Sequence, residues 1–169
     1  MAAAALTGGI VGFVTKNDLR MREYTDLAFK GEIAKAKAVR DSLEPVREAL
    51  RKTRPPEKPH AHPKYWQELL GQAGGPVRRP MLNLTEAEKA AAAKANALLT
   101  LSQYADANSG TAPAESIYAA AGVTGLSGDS TLLQAVNAAL ASTAITGTLA
   151  DSTPELQTIV DAYARILAE

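Results

Sequence analysis

The chain has 169 residues, 46% of them apolar but only 5% aromatic, and its formal net charge is zero. That length carries one full hydrophobic core or two small ones, and an alanine-rich, aromatic-poor composition favours helix over sheet, because Ala loses no side-chain entropy in a helix and packs weakly on a pleated surface. The absence of cysteine excludes a disulfide framework, a thiolate metal site and a Cys nucleophile, and the balanced charge gives nucleic acid or an anionic membrane no overall attraction.

In chain order, the apolar start Met1 to Val14 has no basic residue before its apolar run and is too short to span a bilayer, so neither a signal peptide nor a membrane span is expected. Within it Ile10–Val14, set between Gly8-Gly9 and Asn17-Asp18, reads by composition as a short buried strand, with absorption into a helix as the alternative that so short an apolar run leaves open. Leu19 to Lys30 is helical in pattern and Gly31 interrupts it. A second amphipathic stretch runs from Glu32 to Lys52, with Ile33, Ala36, Val39, Leu43, Val46 and Leu50 at threes and fours. Pro45 lies inside it and predicts a kink or break near Leu43. Four prolines make Thr53 to Pro63 an extended, solvated loop. Lys64 to Leu70 is then a short helix ending at Gly71, and Gly74-Gly75-Pro76 and Pro80 enforce another irregular stretch.

From Thr85 the texture changes. Thr85 and Glu88 form a capping box, predicting one long helix to about Ala105 or Ala107. Pro113 is expected at the first position of a helix that Gly122 stops. Asp129 or Ser130 caps the next, with Leu132, Leu133, Val136 and Leu140 turned inward. Thr153-Pro154-Glu155 starts the last, whose inward residues are Leu156, Ile159, Val160, Tyr163, Ile166 and Leu167.

The zero charge hides a split. Residues 1–90 hold 16 of the 18 Lys and Arg and 11 of the 18 Asp and Glu, a balance of +5, which leaves −5 for residues 91–169. Neither half is a low-complexity tail, so two modules are expected. The fold class expected is mainly α, a helical bundle with at most the one N-terminal strand.

Residues 4–90 resemble the C-terminal part of the dihydrodipicolinate synthase and N-acetylneuraminate lyase superfamily. Gly8-Gly9-Ile10-Val11-Gly12 followed by Asn17 is similar to its last barrel strand and turn. Ala28-Phe-Lys-Gly-Glu-Ile-Ala-Lys-Ala36 is similar to a helix–Gly–helix junction. Tyr65-Trp66, Gly74-Gly-Pro-Val-Arg78 and Leu84-Thr85-Glu86 are similar to the closing helices. Members are pyruvate-dependent lyases on an eight-stranded barrel, using a Schiff-base lysine, a proton-relaying tyrosine and a loop that holds the keto-acid carboxylate. All three parts lie upstream of the region matched here. Lys30, Lys35 and Lys37 stand in helical contexts, and Lys16 follows what the resemblance makes the last strand. One candidate strand cannot close a barrel, and such barrels build their sites from the loops of several strands.

Residues 97–168 resemble the helical repeats of large bacterial surface and adhesin-like proteins, on Tyr118-Ala-Ala-Ala-Gly-Val-Thr-Gly125, Leu133-Gln-Ala-Val-Asn-Ala-Ala-Leu140 and Glu155-Leu-Gln-Thr-Ile-Val-Asp-Ala-Tyr163. The seam Glu88-Lys-Ala-Ala-Ala-Ala-Lys94 reads as a rigid helical linker. The expectation is a soluble chimera, engineered or recombined. Its residues 1–90 are expected as a helical segment resembling the C-terminal tail of an aldolase-type barrel, and 91–169 as an Ala-rich helical bundle resembling an adhesin repeat. Its expected function is that of a non-catalytic structural or interaction module. The alternative is a pyruvate-dependent lyase fragment active only when a partner chain completes it.

The remaining candidates read as ordinary surface or core. His60 and His62 lack further ligands for a metal and are expected as solvated loop residues. Arg78-Arg79 is expected in an ion pair to a helix rather than on a phosphate. Arg47, Arg51, Lys52, Arg54 and Lys58 are diluted by Glu44, Glu48 and Glu57 and lack interleaved aromatics, so they read as a solvated helix face and not a nucleic-acid surface. Trp66, beside Tyr65, divides evenly between core and interface hot spot. No catalytic residue, metal, cofactor or small-molecule ligand is expected. The partner expected is a second copy, through the apolar N-terminal region.

Overall fold

The computed structural model describes residues 19–168. Among them the protein is mainly α-helical, with no strand. The strand expected at Ile10–Val14 and the apolar region expected to self-associate lie outside the described residues. The chain divides into two compact units, Met1–Ala92 and Ala93–Glu169.

In the first unit α1 (Leu19–Phe29) ends at Gly31, whose φ of 75° is one an L side chain adopts only under strain. There the Glu32 N–H donates to the Leu27 carbonyl at 3.0 Å and the Gly31 N–H to the Ala28 carbonyl at 3.2 Å, which satisfies carbonyls that the helix leaves over. The chain reverses into α2 (Ile33–Ser42), which packs on α1, and Arg20 Nη1 donates to the Ser42 carbonyl at 3.2 Å. Pro45 acts where its chemistry requires. The helix stops at the buried Leu43, and α3 (Glu44–Thr53) takes the proline in its first turn, where no intrahelical N–H is needed.

The next helix departs from expectation. α4 spans Ala61–Leu69 rather than Lys64 to Leu70. Pro63 falls within its first turn, a position that costs a helix nothing, so the proline does not delimit it. Ala61 and His62 are thereby drawn out of the loop and buried. The Gly74-Gly75 stretch doubles back along α4: Gly74 lies so close to the Lys64 carbonyl that a Cβ there would overlap it. Lys64 Nζ reaches the Pro76 carbonyl at 2.8 Å.

α5 (Glu86–Ala107) begins with the capping box. The Thr85 N–H donates to Glu88 Oε2 at 2.7 Å, and the Glu88 N–H donates to Thr85 Oγ1 at 3.3 Å.

The second unit holds α6 (Glu115–Ala120), α7 (Ser130–Leu140) and α8 (Thr153–Leu167), with a short 3-10 turn at Gly147–Leu149. Its core joins Leu101 and Ala105 of α5, Tyr118, Val123, Leu126, Leu132, Val136, Leu140, Leu156 and Val160. Asp129 caps α7, accepting from the Leu132 N–H at 2.9 Å. Two expectations are corrected. Pro113 precedes the N-cap Ala114 instead of opening α6. Ile166 and Leu167 are 63% and 48% exposed, so the inward face of α8 ends a turn earlier than its pattern implies. Apolar spacing marks a stripe, and among the described residues nothing covers that stripe beyond Tyr163.

Candidate functional site

Two groups of polar side chains are drawn into these units. The first gathers around His62, which is fully buried. Thr53, the last residue of α3, donates its hydroxyl to the Ala49 carbonyl at 2.8 Å. Towards the imidazole its oxygen is therefore an acceptor, and His62 Nε2, 2.8 Å away, is the donor. That assignment leaves Nδ1 as a bare lone pair, buried with no hydrogen-bond partner. Trp66, one turn along α4, stacks at a tilt on the ring, with centroids 5.9 Å apart. Burial, and then the Arg54 charge, hold the imidazole pKa down at about 4. The connection between α3 and α4 is anchored by Lys58, whose Nζ lies 2.6 Å from Glu88 Oε2. That bond and the capping hydrogen bond from Thr85 keep the Glu88 carboxyl below its usual range.

The second group lies in the Ala93–Glu169 unit, and most of its polar side chains bond to backbone. Tyr118 donates to Asn137 Oδ1, and Asn137 Nδ2 donates to the Pro113 carbonyl at 3.1 Å. Gln157 grips both faces of one residue: its Oε1 accepts from the Thr124 N–H at 2.9 Å and its Nε2 donates to the Thr124 carbonyl at 3.2 Å. Asp106 Oδ1 accepts from the Gly147 N–H at 2.6 Å, and Ser102 donates to the Gly147 carbonyl at 3.1 Å. Thr153 donates to the Ala121 carbonyl at 2.6 Å. Apart from the Tyr118–Asn137 bond, which joins α6 to α7, each of these bonds pins a loop to a helix.

The histidines expected side by side in a loop are separated by the start of α4. His60 is exposed as expected, whereas His62 is buried, a correction caused by the earlier helix start. Among the described residues no group of three or more His, Asp or Glu could hold a metal. Arg78 and Arg79 are exposed, and the ion pair expected of them is absent among the described residues.

The basic stretch is neutralised by its own carboxylates. Arg47 lies 3.3 Å and Arg51 3.2 Å from Glu44, Arg51 also meets Glu48, and Lys52 lies 3.5 Å from Glu48. Trp66, 1% exposed, belongs to the core and is no exposed hot spot. Lys30, in the turn after α1, and Lys35 and Lys37 on α2 are all exposed, and Lys35 pairs with Glu32 at 2.5 Å. Lys16 lies outside the described residues.

One signal for His62 was present in the sequence. His62 and Trp66 are four apart, which places both on one helix face. The Gly147 cradle had none, because Asp106 lies 41 residues away. Large apolar side chains stand exposed at Phe29 (82%) and Ile33 (59%), on either side of Gly31. No helix among the described residues is long and apolar enough to cross a membrane. Compared with protein-family models, with curated proteins and with solved structures, the chain matches none.

Proposed function

We propose that this chain is a non-catalytic structural or interaction module, a recombined or engineered chimera of two helical segments. The observation that carries the reading is the destination of the polar side-chain atoms that bridge segments of the second unit. Asn137, Asp106, Ser102 and Thr153 all bond loop backbone. A reacting group needs a polar atom free to meet a substrate, whereas these are committed to holding the chain. The change in charge sign between residues 1–90 and 91–169 supports two sources for the two segments. The resemblances to an aldolase-type barrel tail and to a surface-protein repeat suggest what those sources are.

An interaction role draws support from Phe29 and Ile33, which present apolar surface beside the α1–α2 reversal. Self-association through the apolar N-terminal region belongs to the same proposal. Sedimentation tests it, and a strict monomer at high concentration contradicts it.

The competing reading is a lyase fragment completed by a partner chain. A Schiff-base lysine must lose hydration so that its amine is unprotonated, and Lys30, Lys35 and Lys37 are exposed. Treatment of the chain with pyruvate and borohydride, followed by mass spectrometry, separates the two. The module reading expects no selective adduct. A stoichiometric adduct on one lysine overturns it.

A further inference from the structure

Among the buried titratable groups described, His62 stands apart, in a position that nothing in the module reading requires. It is completely enclosed, yet one of its two nitrogens bonds nothing. Its other nitrogen joins two helices that are consecutive in the chain, through Thr53 at the end of α3 and His62 at the start of α4. We infer that His62 is an acid-sensitive latch: the neutral imidazole closes the α3–α4 hairpin over Trp66, and a second proton on Nδ1 opens it.

A proton added at Nδ1 creates a buried N–H with no acceptor and a buried positive charge, both costly to desolvate. Thr53 cannot compensate, since its oxygen already accepts at Nε2 and its hydrogen is committed to the Ala49 carbonyl. The charged group acting on the ring from the α3 side is the Arg54 guanidinium, which repels an imidazolium. On the connection, Lys58 is paired with Glu88 of α5; on α4 itself, Lys64 is directed to the Pro76 carbonyl and Glu68 accepts from the Gly75 N–H. The aromatic neighbour, Trp66, offers no acceptor atom.

Below pH 6.5 an opened copy takes up a proton that the closed copy refuses until about pH 4. The closed form therefore loses stability throughout that window as pH falls. Carboxylates such as Glu44 and Glu88, held below their ordinary range, titrate at lower pH, so the first step belongs to the histidine. In the second unit the corresponding buried group is Tyr118, whose phenol is pushed up, far from this window.

Trp66 is the only tryptophan of the chain, so its emission maximum reads the latch directly. Titration of the full chain from pH 8 to pH 4 should give a red shift with a midpoint between pH 6.5 and 4, while the amide signals of α7 and α8 persist. His62→Gln keeps a donor for Thr53 and cannot titrate there, so the shift should vanish, whereas His60→Gln should retain it. An emission maximum unchanged down to pH 4, or the same transition in His62→Gln, overturns the inference. If His62→Gln is already red-shifted at pH 7, the wild-type imidazole resonances decide. A proton taken up in step with the Trp66 shift upholds the latch, and titration near pH 6.5 with Trp66 still enclosed overturns it.

Discussion

The Tyr118 hydroxyl donates to Asn137 Oδ1 at 2.7 Å, across 19 residues of sequence and inside the core of the second unit. Asn137 then passes the connection to the Pro113 carbonyl, so one amide ties α6, α7 and the segment that leads into α6. Burial raises the phenol pKa above its ordinary value, which keeps the hydroxyl a neutral donor at any pH the fold meets. Such networks fix a helix register more firmly than apolar packing does, provided every member is satisfied.

Gly147 should resist even the smallest enlargement. A Cβ there would lie 2.5 Å from Asp106 Oδ2 and 2.7 Å from the Ser102 carbonyl, and the carbonyl belongs to a helix that cannot yield. Gly147→Ala is expected to lower stability by about 1–3 kcal/mol, read as a lower midpoint in urea with little change in slope.

Asp129 acts at a point with no such crowding. Its carboxylate accepts from the Leu132 N–H, one of four donors that a helix start leaves over. Asp129→Ala should cost about 1 kcal/mol and Asp129→Asn much less. Thermal unfolding of the two variants side by side checks the order.

These two residues also mark what was legible in the sequence. Asp129, the Thr85–Glu88 box, Pro45 and Gly31 act within four residues of themselves, so their local patterns suffice to place helix starts and stops. Gly147 depends on Asp106, and Asn137 on Tyr118, through contacts that only folding creates. His62 lies between these cases: its spacing to Trp66 was visible, but the four prolines of Thr53 to Pro63 outweighed it. A proline within the first helical turn does not obstruct a helix, and reading Pro63 as a barrier leaves His62 in the loop. The exposed end of α8 shows the opposite error, since Ile166 and Leu167 continue an apolar stripe past the point where anything covers it.

Lys58 and Glu88 give a prediction about pH. The hydrogen bond from Lys58 is the main cause of the lowered Glu88 carboxyl, followed by that from the Thr85 backbone. A depressed carboxylate contributes stability that is present above its unfolded pKa and lost as pH falls through the folded one. Lys58→Met should therefore move the Glu88 titration upward, towards the ordinary range, in a carboxyl-selective NMR measurement. It should also reduce the acid dependence of stability around and below pH 4.5, where the unfolded carboxyl is half protonated.

Gln157 discriminates between an acceptor and a donor at one site. Its amide both accepts from and donates to the Thr124 backbone, and Nε2 also reaches Asp161 Oδ1 at 2.8 Å. Gln157→Glu at pH 7 keeps the acceptor but replaces the donor with a second carboxylate oxygen, facing both a carbonyl and Asp161. A loss of about 1 kcal/mol is expected, with faster amide exchange at Thr124 as the local sign.

The account rests on interior polar groups that hold backbone in place. A double-mutant cycle on Tyr118→Phe and Asn137→Ala, measured by urea denaturation at pH 7, puts that to the test. Each single change should cost about 1–3 kcal/mol, and the pair should fall short of the sum by about 0.5 kcal/mol or more, as residues in one network do. Two small, strictly additive losses would contradict the structural role assigned to the buried polar side chains.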